Sequence, residues 1–399
     1  MNQTNIRLSF MTKKTGPISR IYENLFHPIL RNDSGLDAEY LTNISLNLIA
    51  FSSRNREWPL IAKLFENIQE EFCIKDSRLT QQICGIEFTN PIGLAAGFDK
   101  NGIGAKVWKD FGFGFSEIGT VTKFPQEGNP KPRLFRLAKE QAALNRMGFN
   151  NNGAKNLEKN LIKQNIKYKE RRENLCLGIN FGKSKITPLI DSTEDYISSL
   201  KLLIPYCNYA AINVSSPNTI GLRKLQSPEL LRDLLKEIKK IKDCPPLFIK
   251  IAPDLNFKEI DGICQIISDE RIDGIIASNT SLDRLGLENR IIEKTGSSLS
   301  QEKGGLSGKP LQRKANEIIR YIHNIDKKII LIGVGGIDSP ESAWERICSG
   351  ASLIQIYTGW IYRGPQLVPE ILKGFINQIK IHNLRNIQDA IGSELKWQK

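Results

Sequence analysis

From Gly93 onward the chain alternates short apolar runs with longer segments of helical spacing, and that alternation is the pattern of a parallel α/β fold. Eight runs can be counted: Ile92–Ala96, Phe115–Gly119, Cys176–Phe181, Tyr209–Val214, Leu247–Ile251, Gly274–Ser278, Ile329–Gly333 and Leu353–Tyr357. They spread over about 260 residues, the usual size of a (β/α)8 TIM barrel, and eight is the number that closes one. A doubly wound open sheet could use the same units, but it has no reason to place unusual residues after nearly every strand.

Such residues do follow nearly every run: Gly97-Phe98-Asp99-Lys100, Thr120, Asn180, Asn213 with Ser215-Ser216-Pro217-Asn218, Lys250, Ser278-Asn279-Thr280, Gly335-Gly336 and Tyr357-Thr358. In a barrel all of them fall on the C-terminal face, where active sites are assembled. A single asparagine here reads as a turn residue or a helix cap. So many on one rim read as a site. The glycine clusters Gly304-Gly305-Leu306-Ser307-Gly308 and Gly333-Val334-Gly335-Gly336 suit a phosphate, because backbone N–H groups approach an anion closely where no Cβ intervenes. Each cluster alone also makes a tight turn. Lys250, ending an apolar strand, fits the cation that a flavin ring needs beside it. Otherwise it must find a carboxylate or snorkel to solvent.

Ahead of the barrel the spacing changes. Ile21, Leu25 and Ile29, then Leu41, Ile44, Leu48 and Phe51, then Leu60, Leu64, Phe65 and Ile68 recur at helical intervals. Asp37 is placed to cap the second helix, and Pro59 to start the third. These helices either plug the bottom or side of the barrel or face a membrane. The arginines Arg20, Arg31, Arg54 and Arg56 beside them suit anionic lipid.

Composition narrows the partners. Lys and Arg outnumber Asp and Glu by 56 to 43, which favours anionic ligands or lipids. No run of about five or six like charges and no interleaved basic and aromatic platform is present, so nucleic acid is not an expected partner. The seven cysteines form no Cys-x-x-Cys pair, so neither a disulfide framework, nor a metal site, nor an iron–sulfur centre is expected. His27, His323 and His382 all lie outside the motif-bearing segments. No apolar stretch is long enough for a transmembrane helix, and no secretory h-region opens the chain. The basic, acid-free residues Met1 to Tyr22 suit a disordered tail or, less well, a transit peptide.

The segments Ala95-Ala96-Gly97-Phe98-Asp99-Lys100-Asn101, Asn145-Arg146-Met147-Gly148-Phe149-Asn150-Asn151, Asn213-Val214-Ser215-Ser216-Pro217-Asn218-Thr219, Lys250-Ile251-Ala252-Pro253-Asp254 and Gly305-Leu306-Ser307-Gly308 together resemble the dihydroorotate dehydrogenase family, from about Ile18 to Ile376. The resemblance implies oxidation of dihydroorotate to orotate in pyrimidine synthesis, with hydride passed to FMN. The quinone-linked class of that family uses a serine base where the soluble class has a cysteine; here the position is Ser216, and the helical N-terminal segment resembles the quinone entrance of that class. By the same resemblance Lys100, Asn145, Met147, Gly148, Phe149, Asn213, Asn218, Asn279 and Thr280 would bind substrate. Ala96, Gly97, Thr120, Asn180, Asn213, Lys250, Ser278, Gly308, Gly336, Tyr357 and Thr358 would bind FMN. Phe98 and Phe181 depart from the aliphatic residues more usual there.

The expected organisation is a flexible tail over 1–17, a helical quinone- and membrane-facing extension over 18–72, an FMN-binding barrel over 73–385 and a C-terminal tail over 386–399. The resemblance implies a peripheral protein on the cytoplasmic side of the cell membrane, ahead of a mitochondrial inner membrane, with a membrane quinone as partner and no iron–sulfur subunit. Two other readings stay open on the residues: an FMN barrel acting on another cyclic amide, such as a dihydropyrimidine or dihydrouridine, and a flavin-binding or basic interaction protein without catalysis. The polar segment from Asp283 to Lys303 is either a mobile lid or a surface loop.

Overall fold

The computed structural model describes residues 16–30, 33, 35, 37–166, 175–284 and 286–398. The tail expected over 1–17 lies, up to residue 15, outside them, as does Arg31. Among the described residues, β1 (Gln81–Ile83) and β2 (Ile86–Phe88) form an antiparallel hairpin that closes the barrel floor. Ile83 and Phe88 join Phe115, Tyr209, Phe248 and Leu353 in the apolar cluster inside the barrel.

The remaining strands are β3 (Ile92–Leu94), β4 (Phe115–Val121), β5 (Leu134–Leu137), β6 (Ala142–Asn145), β7 (Leu177–Phe181), β8 (Tyr209–Asn213), β9 (Leu247–Ile251), β10 (Gly274–Ala277), β11 (Gly305–Gly308), β12 (Ile330–Val334) and β13 (Leu353–Ile356). Eight of them, in the cyclic order β3-β4-β7-β8-β9-β10-β12-β13, close a barrel in which each neighbouring pair is parallel. Every expected run is one barrel strand, shifted at its ends by two residues at most. Parallel strands are buried on both faces, which is why they read as continuous apolar runs.

Inside the barrel the period of two sorts residues by height. Phe115, Tyr209 and Phe248 stack edge to face at the floor, with centroids 6.3 and 5.4 Å apart, each contact contributing about 1 kcal/mol beyond its burial. Two residues further along the same strands stand Glu117, Ala211 and Lys250, and then the loops begin.

The glycines Gly304 to Gly308 are not a free phosphate loop. Residues Gly305–Gly308 form β11, at one edge of an antiparallel sheet with β6 and β5. Close strand approach explains them: a Cβ on Gly304 would meet the Asn145 carbonyl at 2.5 Å, and one on Gly308 the Gln141 carbonyl at 2.3 Å. The described part of Asp283 to Lys303 is anchored over this sheet. Ile292 and Leu299 are buried against Phe135, Leu137 and Leu144, and Arg290 pairs with Glu140 and Asp33.

In the extension, helix Ala38–Arg54 is capped by the Asp37 carboxylate, which accepts from Tyr40 N at 2.9 Å, and helix Pro59–Phe72 starts at its proline. Ala38 and Thr42 line the same cleft as Gly97 and Thr120, so the first turns of helix Ala38–Arg54 reach the barrel mouth, while the end of helix Pro59–Phe72 packs on Phe111 and Gly112 ahead of β4. Phe65, Ile68 and Phe72 face the core, while Leu48, Phe51, Leu60 and Leu64 stay exposed. Arg56 is not available to lipid: it pairs with buried Asp110 and stacks on Phe65. Residues 386–398 lie against the barrel, with Ile387 and Ala390 fully buried.

Candidate active site

The site is built upward from a buried charge. Glu117 is wholly inside the barrel, where an unpaired carboxylate would be prohibitively costly. It accepts from Gln355 Nε2 at 2.7 Å, Asn180 Nδ2 at 2.8 Å and the Tyr209 hydroxyl at 3.0 Å. Lys250 Nζ lies 3.9 Å away, beyond hydrogen-bond distance, so its ammonium keeps donors for the cleft above. Burial lowers the Lys250 pKa, and the Glu117 charge opposes that shift.

One layer higher, amide side chains order one another. Asn180 accepts from Thr120 Oγ1 at 2.6 Å and from Asn213 Nδ2 at 3.1 Å. Asn213 Oδ1 accepts from the Ser215 hydroxyl at 3.1 Å and from Asn279 Nδ2 at 3.2 Å. The Ser216 hydroxyl is held by the Asn218 backbone N–H at 3.2 Å, and Asn218 Nδ2 donates to the Asn145 carbonyl at 3.2 Å. These are loops fixed by strand ends, which gives the precision a reacting constellation needs.

Lys100 follows Asp99, whose buried carboxylate accepts from the backbone of Ile103 and Gly104 at 2.9 and 2.8 Å and ties down the loop after β3. Burial pushes the Lys100 ammonium down to about 8, with Glu39 and Asp99 acting to raise it and Arg133 to lower it. The same burial raises the Asp99 carboxyl to about 6.

The cleft, open to solvent, gathers Ser216, Lys100, Asn145, Met147, Gly148, Phe149, Asn213, Asn218, Asn279 and Thr280. It also gathers Ala96, Gly97, Thr120, Lys250, Ser278, Gly308, Gly336, Tyr357 and Thr358. Asn180 is the exception: it lies fully buried beneath the wall, its amide engaged by Glu117, Thr120 and Asn213, and so supports the cleft without lining it. A second arm of the cleft runs between the extension and the β5–β6 sheet, lined by Ala38, Thr42, Leu134, Ala143, Ile361 and Tyr362 with Arg136 among them. Phe98, beside Gly97 of the lining, packs edge-on against Trp108, Tyr357 and Trp360 at 5.3 to 5.5 Å.

Sequence reasoning missed Glu117, Gln355, Glu39 and Asn129. Glu117 left a signal, an acid at the inward register of an apolar run. Glu39 and Asn129 left none, because their contacts are long-range.

Fold and site together define a (β/α)8-barrel enzyme whose mouth orders a polar ring and a cation. Comparison with known proteins narrows the class. The dihydroorotate dehydrogenase family model matches residues 78–379. A protein of Prochlorococcus marinus (strain MIT 9313) named dihydroorotate dehydrogenase (quinone) is 52% identical, covering 95% of this chain and 96% of its own. One of Nostoc sp. with the same name is 44% identical, covering 94% and 99%. The crystal structure of DHODH from Eimeria tenella in complex with ferulenol superposes with a TM-score of 0.75 at 33% identity, covering 88% of this chain and 95% of that one. The chain belongs to the dihydroorotate dehydrogenase family, and it is an oxidoreductase.

Proposed function

We propose that this chain oxidises dihydroorotate to orotate at the barrel mouth with FMN as its cofactor, and that a membrane quinone re-oxidises the flavin through the apolar arm. The observation that carries the reading is the meeting, in one cleft, of Ser216, Lys100 and four asparagine amides with an apolar arm that leads to the extension.

The residues fit a phosphate-bearing flavin. Gly97, Gly335 and Gly336 line the cleft at φ of 98, 111 and 73°, conformations that bring bare backbone to a ligand. Lys250 offers a charge, and Gln355 Oε1 is buried with no partner among the described residues. Ala96, Gly97, Thr120, Lys250, Ser278, Gly308, Gly336, Tyr357 and Thr358 would hold it. When bound, FMN supplies the two-electron acceptor for the hydride leaving C6.

The chain does the rest. Lys100 pairs with the substrate carboxylate, and Asn145, Asn213, Asn218 and Asn279 offer donor and acceptor together to the ring's amide edges without adding charge. Ser216 Oγ, fixed by the Asn218 N–H, takes the C5 proton. Met147, Gly148, Phe149 and Thr280 close the ring site.

No helix of the described residues is long and apolar enough to cross a membrane. The exposed residues Ile21, Leu25, Leu48, Phe51 and Leu60 support a peripheral contact, at the cytoplasmic side of the cell membrane, that lets quinone enter from the bilayer. The test is a substrate panel. Heat-released cofactor should have the mass of FMN, and dihydroorotate, but not dihydrouracil or dihydrouridine, should be oxidised with a quinone acceptor. Oxidation of either of the others in its place would overturn the reading.

A further inference from the structure

Helix Ala38–Arg54 belongs to the extension, yet its first turn carries a carboxylate into the wall of the barrel mouth. Glu39 is 4% exposed. Its oxygens accept from the Arg133 guanidinium in a fork, from Nε at 2.8 Å and from Nη2 at 2.5 Å, the two-point geometry that only arginine gives a carboxylate. Asn150 Nδ2 lies at 3.5 Å and Lys131 Nζ at 4.0 Å. The Asp37 cap two residues earlier fixes the turn, and the helix N-terminus favours the negative charge there.

Arg133 passes the constraint on. Its Nη1 donates to the carbonyls of Glu127 at 2.6 Å and Asn129 at 2.8 Å. Asn129 in turn donates from its backbone to the Met147 carbonyl at 3.0 Å, and from its amide to the Asn218 carbonyl at 3.1 Å. A Cβ on Gly148 would meet the Asn129 side chain at 2.8 Å, so the two loops are in close contact. The charged groups that act on Lys100 are Glu39 from the extension, Arg133 from the loop before β5, and Asp99 from its own loop.

We propose that Glu39 is a positioning residue for dihydroorotate oxidation: a residue of the quinone-side extension that, through its fork to Arg133, holds the Asn129 loop against Asn218 and Met147. This rests on the reading of Lys100 and Asn218 as substrate ligands. The extension is then not a separable quinone module, and deleting residues 1–55 disturbs the substrate half of the cycle as well.

The test uses the flavin-loaded full chain with Glu39→Gln, Glu39→Asp, Arg133→Lys and Lys100→Met. Anaerobic flavin reduction is followed against dihydroorotate concentration and pH, alongside the KM for a long-chain quinone and the thermal midpoint. Glu39→Gln should weaken dihydroorotate by about ten-fold and move the alkaline loss of affinity to lower pH, because the charge that sustains the Lys100 ammonium is gone. The quinone KM should stay as in wild type, and Glu39→Asp should recover most of the affinity. Arg133→Lys, which keeps the charge but not the fork, should weaken dihydroorotate without moving the pH limb, and it serves if Glu39→Gln does not fold. Wild-type dihydroorotate dependence in Glu39→Gln or, failing that variant, in Arg133→Lys overturns the inference, as does a loss shared equally by quinone KM and thermal midpoint. If Lys100→Met binds dihydroorotate normally, it is the underlying site reading that fails; if Lys100→Met loses binding while Glu39→Gln does not, only this inference fails.

Discussion

The barrel mouth and the N-terminal extension solve opposite problems. At the mouth, Glu117, Asn180, Asn213 and Asn279 find partners within the chain, so a polar interior stands ready-made for a small polar ring. In the extension, Leu48 is 60% and Leu60 87% exposed. The first surface is satisfied within the chain, and the second leaves large apolar side chains exposed. Glu39, forked to Arg133, is where the two parts meet.

The comparison can be broken first at the mouth. Ser216→Ala should slow flavin reduction by dihydroorotate about 10²- to 10⁴-fold in anaerobic stopped flow, with the flavin still bound. Near-wild-type reduction would remove Ser216 as the base. Beneath it, Glu117→Leu leaves the Lys250 ammonium buried without its carboxylate, and urea unfolding should register a loss of about 3 kcal/mol. A variant as stable as wild type would mean that the interior network does not hold the floor.

The extension should respond differently. Leu48→Glu with Phe51→Glu should weaken vesicle binding and long-chain quinone turnover by about ten-fold, while anaerobic reduction by dihydroorotate stays unchanged. Equal loss in both half-reactions would dissolve the division of labour. The smallest effect is one of pH. Lys100 is charged below its lowered pKa of about 8 and neutral above it, so dihydroorotate affinity should be full below that pH and fall as pH rises through it. Binding titrations from pH 6 to about 9.5 check this, and Lys100→Met should abolish the limb.

The barrel was legible because its strands are buried on both faces and its rim residues recur after each of them; Asn213, Ser216 and Asn218 could be placed at a strand end by counting alone. The β5–β6–β11 sheet was not legible. Its strands are four residues each, and the glycines of β11 serve backbone proximity to Asn145 and Gln141, which looks in sequence like a phosphate loop. Glu39 was invisible for another reason: an acid in the first turn of a helix is ordinary, and only the long-range fork to Arg133, 94 residues away, gives it meaning. Arg56 reads as a lipid-facing cation until Asp110 and Phe65 claim it.

The central claim is that the cleft at the barrel mouth, with Glu39 of the extension in its wall, performs the first half-reaction on dihydroorotate without a quinone. Anaerobic mixing of the yellow full-length protein with dihydroorotate, and no quinone, measures it most directly. The account predicts bleaching of the flavin absorbance with one orotate formed per flavin; an unbleached flavin, or bleaching without orotate, would contradict it.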